Sequence, residues 1–515
     1  MSRSWRPGRD PRAVRHPATP SSARVPGQAR SASDARPVLV AGGGIAGIAA
    51  AVGLAERGVP VVLVEPQDQL GGRVRAWPVD HGGDRVTMSR GFHAFFRQYY
   101  NLRSLLRRVD PALESLVPLA DYPLVLAGGH ADSFARIPRT PPLNLAAFVA
   151  QSPSFTARDL AAVDVPAAME LLDVDFPGTF SAYDGESAAA FLDRLHFPDK
   201  ARHLALEVFA RSFFAHPDEF AAGELVAMFH SYFLGSSEGL LFDVPSDDYD
   251  TVFWAPLGRY LEGLGVDVRR AERVAALDPS GQRVSLGSGS ELEVSAVVLA
   301  TDAGTTRDLL LDAGLGDDSY RARVAAQRAA PPFAVWRLWL DRTAGAERAA
   351  FLGTAQFGPL DNISLLERFE EGARRWSAAH GGSVVELHAY ALVGEVDEDG
   401  LRTRLIAELH RIYPELAGAR VLAEEWLVQS DCPLAGPGPW ADRLTVDTPD
   451  SWVVLAGDGI RCDFPVALME RAATTGFLAA NRLLSDRGLP GHDLWTVPMR
   501  SRHRLSRPLH RLLAG

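Results

Sequence analysis

Apolar positions along the chain change period several times, and each change predicts a different element. Val38–Ala41 is an unbroken valine-rich run, the pattern of a strand buried on both faces. Glycines follow, then an alanine-rich stretch to about Arg57 and a second apolar run, Val61–Val64. The segment therefore reads as a β-α-β opening. Residues 103–240 read as mostly helical, with apolar residues at helical spacing in "ESAAAFLDRL" and "ARHLALEVFARSFF". Asp184 is the expected cap of the first of these helices, with Ser187 three residues on. The stretch "GVDVRRAERVAALDPSGQRVSLGSGSELEVSAVVLATDA" alternates as short strands and ends in the buried run Val297–Ala300. Residues 325–430 mix the strand-like "FAVWRLWL" and "SVVELHAYAL" with a helix, "EDGLRTRLIAELHRIYP". Strand and helix return in "SWVVLAGDGIRCDFPVALMERAATTGFLAANRLL", and no internal repeat is found.

At 515 residues the chain exceeds one ordinary core, so two or three packed units are expected. Hydrophobic residues at 47% and charged residues at 23% fit a soluble globular protein. No run reaches the ~18 apolar residues of a membrane-spanning helix. The first 36 residues hold eight arginines against Asp10 and Asp34, and residues 498–515 hold five arginines and no acid. The body between them is thus more acidic than the net charge of −11, which argues against nucleic acid as a partner. The N-terminal stretch, rich in Pro, Ser and Arg without an apolar core, predicts a disordered basic tail rather than a secretory signal. Cys432 and Cys462 are the only cysteines, too few for a disulfide framework or thiolate cage, so a reducing, cytoplasmic setting and no metal are expected.

Gly42, Gly44 and Gly47 form GxGxxG between a strand and a helix. The first glycine permits the tight turn, the second lets the backbone approach a pyrophosphate, and the third allows close packing of the helix, whose N-terminus faces the anion. Glu65 ends the second strand, where an acid accepts from ribose hydroxyls. A glycine-rich turn without a ligand is the plainer alternative; the strand, helix and acid in the right order favour the nucleotide.

"LGGRV" soon after the acid and "VLAGD" far downstream turn the motif into a more specific one. The combination resembles the FAD-binding fold of the amine oxidase and carotenoid desaturase superfamily. That resemblance implies an α/β protein with an α+β insert: a Rossmann-like, glutathione-reductase-like FAD-binding domain and a discontinuous mixed sheet-and-helix substrate domain. The expected division is 37–110, 255–325 and 440–490 for FAD, 111–254 and 326–439 for substrate, with basic tails at 1–36 and 491–515. It implies non-covalent FAD, with Gly71, Gly72 and Arg73 at the phosphates, Val274 offering backbone to the adenine, and Gly457 and Asp458 at the pyrophosphate or ribityl chain. Met469 to Gly476 would form the helix start under the flavin, although Arg471 departs from the small residue usual there.

"GFHAFFRQYYNL" is similar to a segment bordering flavin and substrate in plant-type phytoene and ζ-carotene desaturases, matching at Gly91, His93, Phe95, Phe96, Tyr99, Asn101 and Leu102. With "GDGIRCDFPVALMERAA" the chain most resembles the carotenoid ring desaturase/methylases of the isorenieratene synthase type, over roughly residues 37–490. The resemblance implies conversion of β-carotene's β-ionone rings to aryl rings with methyl migration. Phe95, Phe96 and Tyr99 are then expected to line the substrate channel, together with one of the two tryptophans of "FAVWRLWL", Trp336, while Trp339 is expected in the core. His93 is the candidate proton acceptor, with a structural hydrogen bond as its alternative. The alternatives by activity are a linear carotene desaturase, an amine oxidase and a flavoprotein without turnover; the sole lysine, Lys200, does not match the amine oxidase position. A carotene lives in the bilayer, and "RSRHRLSRPLHRLLAG" places leucines at helical spacing among arginines, so peripheral membrane contact is expected. Quinone, oxygen and another acceptor are the alternatives for reoxidising the flavin.

Overall fold

The computed structural model describes residues 10, 12–18, 36–155, 158, 163–198, 201–202 and 213–501. Lys200, most of "ARHLALEVFARSFF" and residues 502–515 lie outside them.

Strands from widely separated stretches build one five-stranded parallel sheet, in the order Asp267–Arg270, Val61–Glu65, Val38–Ala41, Ala296–Leu299, Val453–Leu455. The central three are buried throughout and apolar except for Glu65 at the end of its strand, as a sheet covered on both faces requires. The helix Ile45–Ala55 buries every residue, and the helix Leu468–Asp486 packs across it. Gly476 makes that approach possible: a Cβ there would stand 2.3 Å from the Ala46 carbonyl oxygen. A three-stranded antiparallel sheet, Val274–Asp278, Arg283–Leu286 and Glu291–Glu293, flanks the parallel one.

A second, seven-stranded sheet runs Val421–Gln429, Phe333–Leu340, Ser383–Ala389, Leu360–Leu365, Phe351–Phe357, Leu124–Leu126, His130–Asp132. The helix Glu398–Ile412 covers one face, where Leu401, Leu405 and Leu409 meet Ala334, Trp336 and Leu338. The described residues between 143 and 234 are largely helical and contribute most of a separate apolar cluster. Ser187, not Asp184, caps the helix Ala188–Arg194 by accepting from the Ala190 N–H at 3.1 Å. Asp184 instead accepts from the Trp440 N–H at 2.7 Å, a long-range bond that local spacing could not reveal.

Part of each expected tail is ordered. Val14–His16 pairs antiparallel with Leu494–Thr496. Beside that strand the Asp10 carboxylate is buried and accepts from Tyr100 Oη at 3.1 Å, Ser236 Oγ at 2.7 Å and Ser237 Oγ at 2.9 Å. A polar, arginine-rich composition hides such an anchor, because one buried carboxylate with several donors can hold a segment that has little apolar surface. Among the described residues no helix is long and apolar enough to cross a membrane.

Candidate active site

The dinucleotide end follows from glycine sterics. Gly42 sits at φ +103°, where a Cβ would lie 2.5 Å from the Ala300 carbonyl oxygen, and a Cβ on Gly47 would lie 1.9 Å from the Gly42 oxygen. Gly44 differs: its nearest neighbour to a Cβ would be Gly72 Cα at 3.7 Å, and the residue lines a cavity of about 660 Å³. This is the cradle a phosphate group needs, open on the ligand side and closed by backbone beneath. Glu65 ends its strand with one oxygen accepting from the Gly43 N–H at 2.7 Å and the other from the Gln67 N–H at 2.9 Å. Each oxygen keeps a further lone pair, and burial pushes the carboxyl pKa up despite those bonds.

Gly71, Gly72, Arg73, Val274, Gly457, Asp458 and Met469 line the same cavity. Arg73 and Asp458 form a bidentate ion pair, with Nη1 to Oδ2 at 3.0 Å. The pair joins the loop after the second strand to the loop after the last one, and presents both charges together at the expected phosphate end. Gly47 and Gly476 do not line the cavity. Gly47 supports the turn, as its spacing predicts; Gly476, expected at the flavin, lies two turns inside its helix and serves contact with Ile45–Ala55 instead. Arg471 also turns away, its guanidinium donating to Glu224 at 2.5 and 3.0 Å.

Phe96 and Tyr99 line the cavity, whereas Phe95 does not. Phe95 and Phe96 form a two-residue strand, so they point to opposite sides. Phe95 is fully buried against Tyr249 and Phe253. Trp336 is likewise on the wrong face, packed edge-on to Trp426 with Nε1 donating to Glu424 at 2.8 Å. Trp339 belongs to another apolar cluster, with Trp376 and Val86. Tyr232 joins the wall through a 3.2 Å contact between its hydroxyl and that of Tyr99. It stands in a π-helical turn, His230–Leu234, of the kind that often reshapes a helix at a functional site.

His93 lines the cavity with Nδ1 2.8 Å from the Gly91 carbonyl oxygen. A carbonyl only accepts, so Nδ1 carries the hydrogen and Nε2 the lone pair. Burial pushes His93 down to about 4, with Arg90 and His388 opposing its charged form. The geometry suits a neutral imidazole that ties its own turn together.

Several lining residues escaped the sequence reading. Tyr122, Phe242 and Phe351 add aromatic wall from the second sheet and its neighbours. Asn362, His388 and Tyr390 add a polar patch, and Glu386 lies next to it, bonded to Arg337 at 2.6 and 2.9 Å. The signal was present in "VVELHAY": Glu386, His388 and Tyr390 alternate along an otherwise apolar stretch and so share one side.

The model of the flavin containing amine oxidoreductase family matches residues 45–484. A carotenoid phi-ring synthase of Streptomyces griseus is 52% identical over 98% of both chains. One of Chlorobaculum tepidum is 26% identical over 90% of both. Among solved structures, cyclohexylamine oxidase from Brevibacterium oxydans superposes with a TM-score of 0.63 at 15% identity, covering 87% of this chain and 98% of that one, a likeness of fold. The matched span begins one residue after Gly44 and contains Gly47, Glu65 and the Arg73–Asp458 pair. The chain belongs to the flavin-containing amine oxidoreductase family, in its branch of carotenoid ring desaturase/methylases, and is an FAD-dependent oxidoreductase.

Proposed function

We propose that the enzyme desaturates the β-ionone ring of β-carotene with migration of one methyl group, giving aryl end groups of the isorenieratene type. The observation that carries the reading is the continuity of one cavity, from Gly44 and Glu65 to the aromatic wall of Phe96, Tyr99, Tyr232 and Phe351. Similarity to the Streptomyces griseus phi-ring synthase along nearly the whole chain supports it. A carotene offers no charge and no hydrogen bond, so it is held by apolar contact alone. Gly42, Gly44, Glu65, Arg73, Val274 and Asp458 would hold FAD, which when bound accepts hydride.

Converting the trimethylcyclohexene ring to a trimethylbenzene ring removes two hydride equivalents and two protons per ring, and a methyl shift frees the quaternary carbon. Loss of hydride beside that carbon creates the cation that drives the shift. The faces of Phe96, Tyr99 and Tyr232 stabilise such a cation by roughly 0.5–2 kcal/mol each and exclude water from it. His93 holds the turn that carries this wall. Cells making β-carotene are expected to accumulate carotenoids with aryl methyl and ring-proton signals when they express the chain, whereas phytoene or ζ-carotene stays unchanged. An extended linear chromophore without aryl protons would overturn the reading in favour of linear desaturation.

The basic C-terminus is proposed as a peripheral membrane contact. Residues 498–501 belong to the fold, since the Pro498 carbonyl accepts from His230 at 2.7 Å and that of Met499 from the Phe176 N–H at 2.9 Å. The test is therefore removal of residues 502–515 only. Flotation with anionic liposomes is expected to fall severalfold, and unchanged flotation would remove the idea.

A further inference from the structure

The ring reaction releases protons, and His93 is poorly placed to keep one. A different group faces the same cavity. Tyr390, His388 and Asn362 line it, and their hydrogen bonds run in one direction. Asn362, 4% exposed, directs Nδ2 to Tyr390 Oη at 3.1 Å. The tyrosine oxygen thus accepts from Asn362, and its own O–H is left to donate to His388 Nδ1, with which it forms a short contact. His388 Nε2 lies 2.8 Å from Glu386 Oε1. Burial alone would raise Glu386, but Arg337 and the bonds it receives hold it down at about 2, so it is a carboxylate. A ring nitrogen 2.8 Å from a carboxylate oxygen must carry a hydrogen, because two lone pairs would repel. The Phe92 N–H, 3.3 Å from the same nitrogen, is the weaker neighbour.

The order is therefore Tyr390 O–H to His388, His388 N–H to Glu386, and Glu386 to Arg337, whose Nη1 and Nη2 are anchored on the Thr87 carbonyl at 2.5 Å and Ser89 Oγ at 2.8 Å. This is the logic of a hydroxyl, an imidazole and an orienting carboxylate, with the hydroxyl at the cavity. Packing does not explain it: a hydrocarbon ligand cannot satisfy polar atoms, and Asn362 Oδ1 is buried in the lining without a hydrogen-bond partner among the described residues.

We propose that Tyr390, His388 and Glu386 form the proton-accepting relay for a carotenoid ring cation, with Tyr390 as the group that touches the ring. The inference rests on the ring reading above. In the step, a ring C–H bond beside the cation breaks and its electron pair becomes the new C=C bond. The proton bonds to Tyr390 Oη as the tyrosine's own proton moves to His388 Nδ1, and the imidazolium faces the Glu386 carboxylate. Bound FAD would be the oxidant that takes the hydride lost beforehand. His388 returns its proton through Tyr390 to water before the next turnover, so one relay serves both deprotonations of a ring.

The test compares the FAD-loaded wild type with Tyr390→Phe and His388→Gln on β-carotene. Glutamine can still accept from Tyr390 and donate to Glu386, so His388→Gln keeps the bonds and removes only the proton site. Both variants are expected to retain FAD and to bleach the flavin's visible absorbance anaerobically at near the wild-type rate. Both are expected to form aryl product roughly 10²–10⁴-fold more slowly. Aryl product formation by either variant within about threefold of wild type, well inside the range general acid–base catalysis commands, overturns the relay while leaving the ring reading intact. A wild type that bleaches with β-carotene yet makes no aryl product overturns the ring reading, and the relay with it.

Discussion

Gly44→Val is expected to purify as a folded but colourless protein. The backbone at Gly44 has an ordinary φ of −76°, and a Cβ there meets nothing closer than Gly72 Cα at 3.7 Å, so the chain tolerates a side chain. The valine methyls would instead occupy the cavity where the pyrophosphate approaches the helix N-terminus. Flavin-to-protein ratio should fall about tenfold or more while the far-ultraviolet dichroism stays that of the wild type. Gly47→Val is the control with the opposite cause: its Cβ would lie 1.9 Å from a backbone oxygen, so this variant should lose the fold together with the colour. A yellow, fully loaded Gly44→Val preparation would contradict the assignment of the cradle.

Glu224→Ala should be the more damaging change to stability. Glu224 is fully buried and accepts from Arg471 at 2.5 and 3.0 Å and from Arg443 at 2.6 Å. Burial would raise its pKa, but the two guanidiniums hold it below the usual carboxylate range. Removing the carboxylate leaves Arg471 buried without its ion-pair partner, a loss of about 3–5 kcal/mol. Denaturant titration measures it. Replacing Glu224 and Arg471 together by Leu should recover much of the loss, because no buried charge at position 471 is then left uncompensated. Equal losses in the single and double variants would show that packing, not charge, explains the site.

Features governed by local sterics were legible in the sequence. The Gly42–Gly47 turn, Glu65 at its strand end and the helix Glu398–Ile412 all follow from spacing and backbone shape, and the family resemblance added the carotenoid branch. Features that depend on which way a side chain faces were less so. Phe95 and Phe96 were both expected in the channel, although strand neighbours alternate, and only Phe96 reaches it. Trp336 faces the Glu398–Ile412 helix because its strand lies inside the sheet and its two faces are covered by different partners. Gly476 has the motif position of a flavin contact and the environment of a helix crossing. The Asp10 anchor and the Asp184–Trp440 bond join residues far apart in sequence, so no local pattern announces them.

The order of strands in the parallel sheet bears on how the protein is made. Val38–Ala41, the middle strand, pairs on one side with Val61–Glu65 and on the other with Ala296–Leu299. During synthesis one edge of this apolar strand therefore waits for a partner more than two hundred residues later, on the order of 10–50 s at ordinary elongation rates. Asp458 and the helix that packs on Ile45–Ala55 arrive later still. The flavin cradle is incomplete until nearly the whole chain has emerged, so loading with FAD follows translation. FAD supplied at that moment would stabilise the closed sheet against edge-to-edge association by mass action.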